Sequence, residues 1–360
     1  MQFYSSFSQA RKLTPRRLIF WIHLCIGLAL AIWASLIGLT GSVVVFQDEI
    51  TRSQFMRFEG ASETRVEALL DGPDGVVMQA MRQFPNWLPI TLTFPNEYCP
   101  FFMTYLIRGN EGVEVYANAR TGEIVGTLNP KGGWLGTLHG WHVSLWGGRS
   151  GRLANGYASM ALLILAITGV ILWLPKKPWR LRWREVHFST GVTAAAFLLM
   201  FAITATYFVW TGFFVREVGD RFGRRIEPAL HQNLDAVVAR LDEMAAAAER
   251  ADRNAAIHRL QIVFDPNIPV RVTMRRASPT KFHLVDTVFL DPTGPSVLRI
   301  DRYEDRPPGE SILAWFSVLH FAAFGGIGSE IAWSIIGLSF PVLSITGTVM
   351  WWRRIAGRIS

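Results

Sequence analysis

Four stretches of this chain contain no Asp, Glu, Lys or Arg: Ile19 to Phe46, Leu153 to Leu174, His187 to Phe214 and Ile331 to Trp352. Each is about long enough to cross roughly 30 Å of hydrocarbon as a helix, and helices of a soluble core are seldom charge-free for so long. The expected fold class is an α-helical membrane protein with four transmembrane helices. The first stretch far exceeds the roughly 7–15 apolar residues of a cleavable signal, so it is expected to stay as an anchor. Only 18% of the residues are charged, against about a quarter in ordinary soluble domains. Two cysteines are too few for a disulfide framework, a four-cysteine zinc site or a cysteine-held iron–sulfur cluster.

Positive charge orients the spans. Arg11, Lys12, Arg16 and Arg17 precede the first, Lys176, Lys177, Arg180, Arg182 and Arg184 lie between the second and third, and Arg353, Arg354 and Arg358 follow the fourth. With four spans these groups share one side, which the positive-inside rule makes cytoplasmic. They bring 12 basic residues and one acidic residue, Glu185, whereas the rest of the chain holds 24 basic and 27 acidic. The net charge of +8 is therefore a topology signal and gives no support to nucleic-acid binding.

The expected order starts with a cytoplasmic N-terminus (1–18), a span (19–46), a periplasmic domain (47–133), an interfacial segment (134–152) and a span (153–174). A cytoplasmic loop (175–186), a span (187–214), a second periplasmic domain (215–311), an interfacial segment (312–330), a span (331–352) and a cytoplasmic C-terminus (353–360) follow. Trp21, Trp134, Trp141, Trp146, Trp173, Trp179, Trp183, Trp351 and Trp352 gather near these boundaries, as in an aromatic belt.

The chain repeats itself. At a shift of 164, His23 matches His187, Gly27 matches Gly191 and Thr40 matches Thr204. At a shift of 178, His142 matches His320, Gly147-Gly148 match Gly325-Gly326, Ile167-Thr168-Gly169 match Ile345-Thr346-Gly347, and Trp173 matches Trp351. These are parallel repeats, because each unit has two spans and starts on the same side. Each large loop is expected to form a small α+β domain, with helix over Thr64 to Phe84 and over Leu234 to Leu260. Strands are expected at Ile90 to Phe94, Val113 to Tyr116, Val270 to Met274 and Thr287 to Leu290, from their β-branched and aromatic runs. The run Ala245 to Arg250 reads as helix-favouring surface.

Of eight histidines, His231, His258 and His283 lie in the loops without shared spacing and read as ordinary domain histidines. The other five, His23, His139, His142, His187 and His320, lie in or beside the apolar segments, where ionisable residues are expensive and mark function. The repeat pairs them. His23 and His187 fall at equal depth near the cytoplasmic face, and His142 with His320 just before a span at the other. Two imidazoles facing each other suit six-coordinate haem iron, which has no open site and favours electron transfer. Gly27 and Gly191 leave room on that helix face for a porphyrin, or alternatively allow close helix packing. A three-histidine metal site from His139, His142 and His320, a proton relay using Glu185 and His187, and simple hydrogen-bonded histidines also fit the pattern. His139 has Ser317 as its counterpart, and reads as an alternative ligand, a propionate contact or an interfacial residue. Neither a nicotinamide fingerprint after a strand nor a Walker loop is present, so electrons would come from a membrane quinol or a partner protein.

Taken together, the first span with His23, Gly27 and Leu39-Thr40-Gly41, the stretch Leu138 to Pro175, and the stretch from Leu319-His320 to Trp352-Arg353 resemble the PepSY-associated transmembrane family. Val113 to Gly126, with Thr121-Gly122-Glu123, resembles the end of a PepSY domain. Members include bacterial inner-membrane ferric-siderophore reductases. That resemblance implies two b-type haems, one held by His23 and His187 and one by His142 and His320, and a ferric siderophore or other ferric chelate as periplasmic substrate. Arg149 and Arg152 would attract acidic chelates or haem propionates, or are plain loop arginines. Another class of function also fits: a haem-free PepSY scaffold that binds or regulates a periplasmic partner such as a protease.

Overall fold

The computed structural model describes residues 14–59, 72–96, 99–109, 111–173, 183–221, 234–265, 267–276, 285–306 and 308–359. Residues 64–71 of the first expected loop helix, His231, His283, Trp179, and most of the basic N-terminus and the 175–186 loop lie outside them.

The first unit opens with α1 (Pro15–Val44), the first apolar stretch begun four residues early by Pro15, whose missing N–H costs nothing in a first turn. A second helix, α2 (Gln47–Glu59), follows a two-residue break and was not expected. Next come α3 (Pro73–Gln83), β1 (Leu88–Thr93), β2 (Phe101–Arg108), β3 (Glu111–Asn118), β4 (Ile124–Leu128), α4 (Gly133–Ser144) and α5 (Gly148–Trp173). The second unit runs α6 (Trp183–Arg221), α7 (Leu234–Val238), α8 (Leu241–Ala251), β5 (Ala255–Gln261), β6 (Val270–Arg276), β7 (Val285–Leu290) and β8 (Val297–Asp301). It closes with α9 (Pro308–His320), α10 (Gly326–Gly337) and α11 (Ser339–Ile359). Both units thus run helices, four strands, an interfacial helix and a span, the last span of the second unit being broken into α10 and α11.

Four spans are long and apolar enough to cross a membrane: Pro15–Val44, Gly148–Trp173, Trp183–Thr211 and Gly326–Gly357. The protein is a multi-pass membrane protein. Helix α1 packs against α5 and α11, and α6 packs against the same two. Ala34, Leu162, Ala166, Leu198, Ala202 and Phe340 are buried at the centre of this ring. The fourth span is stepped at Leu338, because Pro341 has no N–H to give the Gly337 carbonyl. That carbonyl comes so near α1 that a Cβ on Gly38 would lie 2.6 Å from it. At the same seam Ser42 Oγ is 2.9 Å from Ser334 O, and Ser334 Oγ is 2.9 Å from Ser42 O. Small residues let the two backbones approach, as in other membrane helix contacts.

The loops form two α+β halves of one eight-stranded antiparallel sheet, ordered β4-β3-β2-β1-β5-β6-β7-β8. At its centre Leu92 of β1 faces Leu260 of β5, and both side chains are fully buried. Helices α3, α7 and α8 share one core with the strands: Val76, Val77, Leu241 and Met244 pack with Leu92, Leu260 and Val272. Two expectations need correction. Helix was expected as far as Leu260, but Ala255–Gln261 is strand β5, drawn into the sheet by pairing with both β1 and β6. The alanines of the 245–250 run are not surface either: Ala245, Ala247 and Ala248 are buried, because their small side chains let α8 lie close against the sheet, while Glu249 and Arg250 are exposed as expected.

Candidate functional site

The repeated histidines meet across the two units. His23 of α1 and His187 of α6 have ring centres 6.4 Å apart at 87° between planes. His142 at the end of α4 and His320 at the end of α9 are also 6.4 Å apart, at 55°. The histidine of each pair that lies in one unit is thus completed by the other unit. Along α1 the 17 residues from His23 to Thr40, which touches His142, rise about 26 Å, so the pairs stand at opposite ends of the bundle. The end at the start of α1 is here called the basic end, and the other the sheet end.

Local sequence explains how each ring is placed. Helices α4 and α9 each end in a tight turn before the next span. Leu145, Trp146 and Ala322 have positive φ there, as do Gly148 and Gly326, the second glycine of each repeated Gly-Gly pair. The turn folds each interfacial helix back over its span. Equivalent positions of the following helices fasten it: Asn155 Nδ2 donates to His142 O at 2.8 Å, and Trp333 Nε1 donates to Leu319 O at 2.6 Å. Each imidazole then meets a threonine of its own unit through Nδ1. The separations are 3.0 Å for His23 and Thr168, 3.2 Å for His142 and Thr40, 2.9 Å for His187 and Thr346, and 2.7 Å for His320 and Thr204.

The residue after three of these threonines is a glycine that the ring lies against. A Cβ on Gly41 would come within 2.8 Å of His142 Cε1, one on Gly169 within 3.1 Å of His23 Cε1, and one on Gly347 within 3.3 Å of His187 Cε1. The fourth such position is Ala205. The Thr-Gly pairs were visible in the sequence as repeat anchors, but their role as partners of the rings was not. Gly27 and Gly191, by contrast, have only ordinary contacts near 3.5 Å at the Cβ position, so close packing does not force glycine there.

The surroundings of the pairs differ. At the basic end His23 and His187 line a cavity of about 750 Å³, together with Gly27, Gly169, Gly191 and Gly347. That volume lies within the usual range for small-molecule and cofactor sites. Four exposed arginines, Arg16, Arg17, Arg184 and Arg354, also line it. At the sheet end Phe201, Phe208 and Phe321 set their rings edge-on around His320, at 5.3–5.6 Å.

The other expected residues fare differently. His139 lies exposed on α4 one turn before His142 and makes no hydrogen bond among the described residues. Among those residues no three or more His, Cys, Asp or Glu side chains gather to hold a metal ion, so His139, His142 and His320 do not form a three-histidine site. Glu185 takes a hydrogen bond from Arg184 at 3.3 Å, while His187 turns Nδ1 to Thr346, so the two are not hydrogen-bonded to each other. Arg152 reaches the Phe208 carbonyl at 3.4 Å.

Fold and site together define a helical membrane protein made of a duplicated two-span unit, with a pair of opposed imidazoles at each end of its bundle. The chain belongs to the PepSY-associated TM region family, whose model matches residues 20–354. No curated relative matches it.

Proposed function

We propose that this protein is a di-haem b-type oxidoreductase of the bacterial inner membrane, carrying electrons outward to reduce a periplasmic ferric chelate such as a ferric siderophore. The observation that carries the reading is the spacing of the two pairs. A nitrogen–metal bond is about 2 Å and a ring nitrogen sits about 1 Å from its ring centre, so two imidazoles sharing one iron have centres about 6 Å apart. Both pairs stand at 6.4 Å. His23 and His187 would hold one haem, and His142 and His320 the other. The apolar lining and the glycine-cleared wall of the basic-end cavity suit a flat macrocycle, and its arginines suit two propionates. Iron held by two histidines has no open position, and so supplies outer-sphere electron transfer.

The chain's own residues then have simple tasks. They grip the rings, keep water from the bundle interior and set the two ends about one bilayer apart. The basic segments put the basic end in the cytoplasm, with a membrane quinol or a redox partner as donor, and put the sheet on the periplasmic side. One electron converts hard Fe(III) to Fe(II), which oxygen ligands hold less tightly, so the chelate releases its iron. No side chain need act as acid or base. The test is the dithionite-reduced minus oxidised spectrum of the purified protein with haem quantification. Two haems per chain with split b-type bands are expected, and a featureless spectrum after haem supplementation overturns the reading.

A further inference from the structure

The four ring-holding threonines have something in common beyond touching Nδ1. Each hydroxyl also lies against the backbone carbonyl one turn back in its own helix. The distances are 2.7 Å from Thr40 to Leu36 O, 2.8 Å from Thr168 to Ile164 O, 2.8 Å from Thr204 to Met200 O and 2.7 Å from Thr346 to Val342 O. A carbonyl only accepts, and a hydroxyl has a single proton. With that proton given to the carbonyl, the threonine oxygen has only lone pairs to offer the imidazole. The proton between ring and threonine must therefore sit on Nδ1.

One ring has a second acceptor that says the same. His23 Nδ1 is also 3.1 Å from Leu165 O, three residues before its gripping threonine. The glycines after Thr40, Thr168 and Thr346 let those three rings lie against the helix, whereas Ala205 stands at the fourth site and His320 has Thr204 as its hydrogen-bond partner.

We propose that Thr40, Thr168, Thr204 and Thr346 are positioning residues that hold all four imidazoles as the Nδ1–H tautomer, leaving Nε2 as the only ring nitrogen able to bind iron. Free neutral histidine favours the opposite tautomer, so the helices select the ligand atom before a ligand arrives. Hydrogen bonding at Nδ1 also makes Nε2 a stronger donor, which favours Fe(III) and lowers the reduction potential. The use of Nε2 rests on the di-haem reading, whereas the tautomer can be measured without haem.

The experiment uses full-length protein in nanodiscs, with ¹⁵N-histidine, in haem-free and haem-loaded forms. In the haem-free form, nitrogen NMR is expected to show a protonated Nδ1 and an unprotonated Nε2 at His23, His142, His187 and His320, each assigned by a single His→Gln variant. Thr204→Val is expected to release His320 from this tautomer, since it removes the acceptor at Nδ1. Thr40→Val and Thr346→Val are expected to do the same at His142 and His187, Thr168→Val to do so less at His23, which keeps Leu165 O, and Thr204→Ser to restore the parent spectrum. In the haem-loaded form Thr204→Val is expected to raise the midpoint potential of one haem and weaken its binding about tenfold or more, as for other outer-shell partners of metal ligands. A wild-type Nε2–H signal at these rings overturns the inference even if two haems bind. So does a Thr204→Val protein with unchanged tautomer, potential and haem affinity. An Nδ1–H signal in a protein that never takes up haem upholds the tautomer lock and overturns the di-haem reading instead.

Discussion

At the basic end two imidazoles stand nearly perpendicular, each backed by a Thr-Gly pair, beside a cavity whose lining includes four arginines. At the sheet end the same pairing is tilted to 55°, one glycine has become Ala205, and three phenylalanines surround His320. Spacing is therefore preserved where the surroundings are not. The duplication has kept the distance between the two rings, and has let polarity and room diverge. Under the di-haem reading the two ends would differ in potential, because charge, burial and ligand hydrogen bonding are what set it.

The sharpest way to break this comparison is to remove one pair. His187→Ala is expected to cut haem content from two per chain to one and leave the sheet-end signal in place, with His320→Ala giving the converse. Loss of both haems from either variant would show that the ends are not independent, by pyridine haemochromogen assay and redox titration. A second cut lies outside the membrane. Leu92→Ala at the β1–β5 seam is expected to cost about 2–5 kcal/mol of sheet stability, read as an earlier thermal transition, without changing either haem spectrum.

A finer comparison exchanges the one residue that distinguishes the ring cradles. Gly41→Ala puts a methyl 2.8 Å from His142 Cε1 and is expected to cost about 1–3 kcal/mol, seen as weaker haem retention at the sheet end. Ala205→Gly at the matching site is expected to be nearly silent there. The smallest effect concerns the sheet alone. Partial burial and the adjoining Asp74 carboxyl push Asp242 up to about 6, so the folded state keeps a proton that the unfolded chain gives up. This contribution is full below about pH 4, the ordinary carboxylate range, and is lost as pH rises through about 6. The melting temperature of wild type relative to Asp242→Asn should fall between pH 4 and pH 7.5, with both histidine pairs unaffected.

What could be read in advance follows the strength of the physical signal. Absence of charge over a bilayer's width marks a span without any tertiary information, and the four spans lie within about five residues of expectation at most ends. The histidine pairs were legible because duplication places equal residues at equal depth. Thr168 and Thr346 were seen only as matching letters, since nothing in a sequence says that a hydroxyl of one span faces a ring of another. Strand β5 was hidden for a related reason: Ala255 to Gln261 continues a helix-favouring stretch, and its pairing with β6 and with β1, more than 160 residues earlier, makes it a strand. The burial of Ala245, Ala247 and Ala248 likewise depends on what α8 lies against.

The β1–β5 seam joins equivalent edges of the two repeats, and every opposed imidazole pair takes one member from each. A single repeat on its own would thus possess half of every such site and an open strand edge. Two copies related by a two-fold axis normal to the membrane would satisfy both needs at once, which is the self-complementary contact of a homodimer. The present protein reads as such a dimer written into one polypeptide, in which Ala205 stands where the other unit has Gly41.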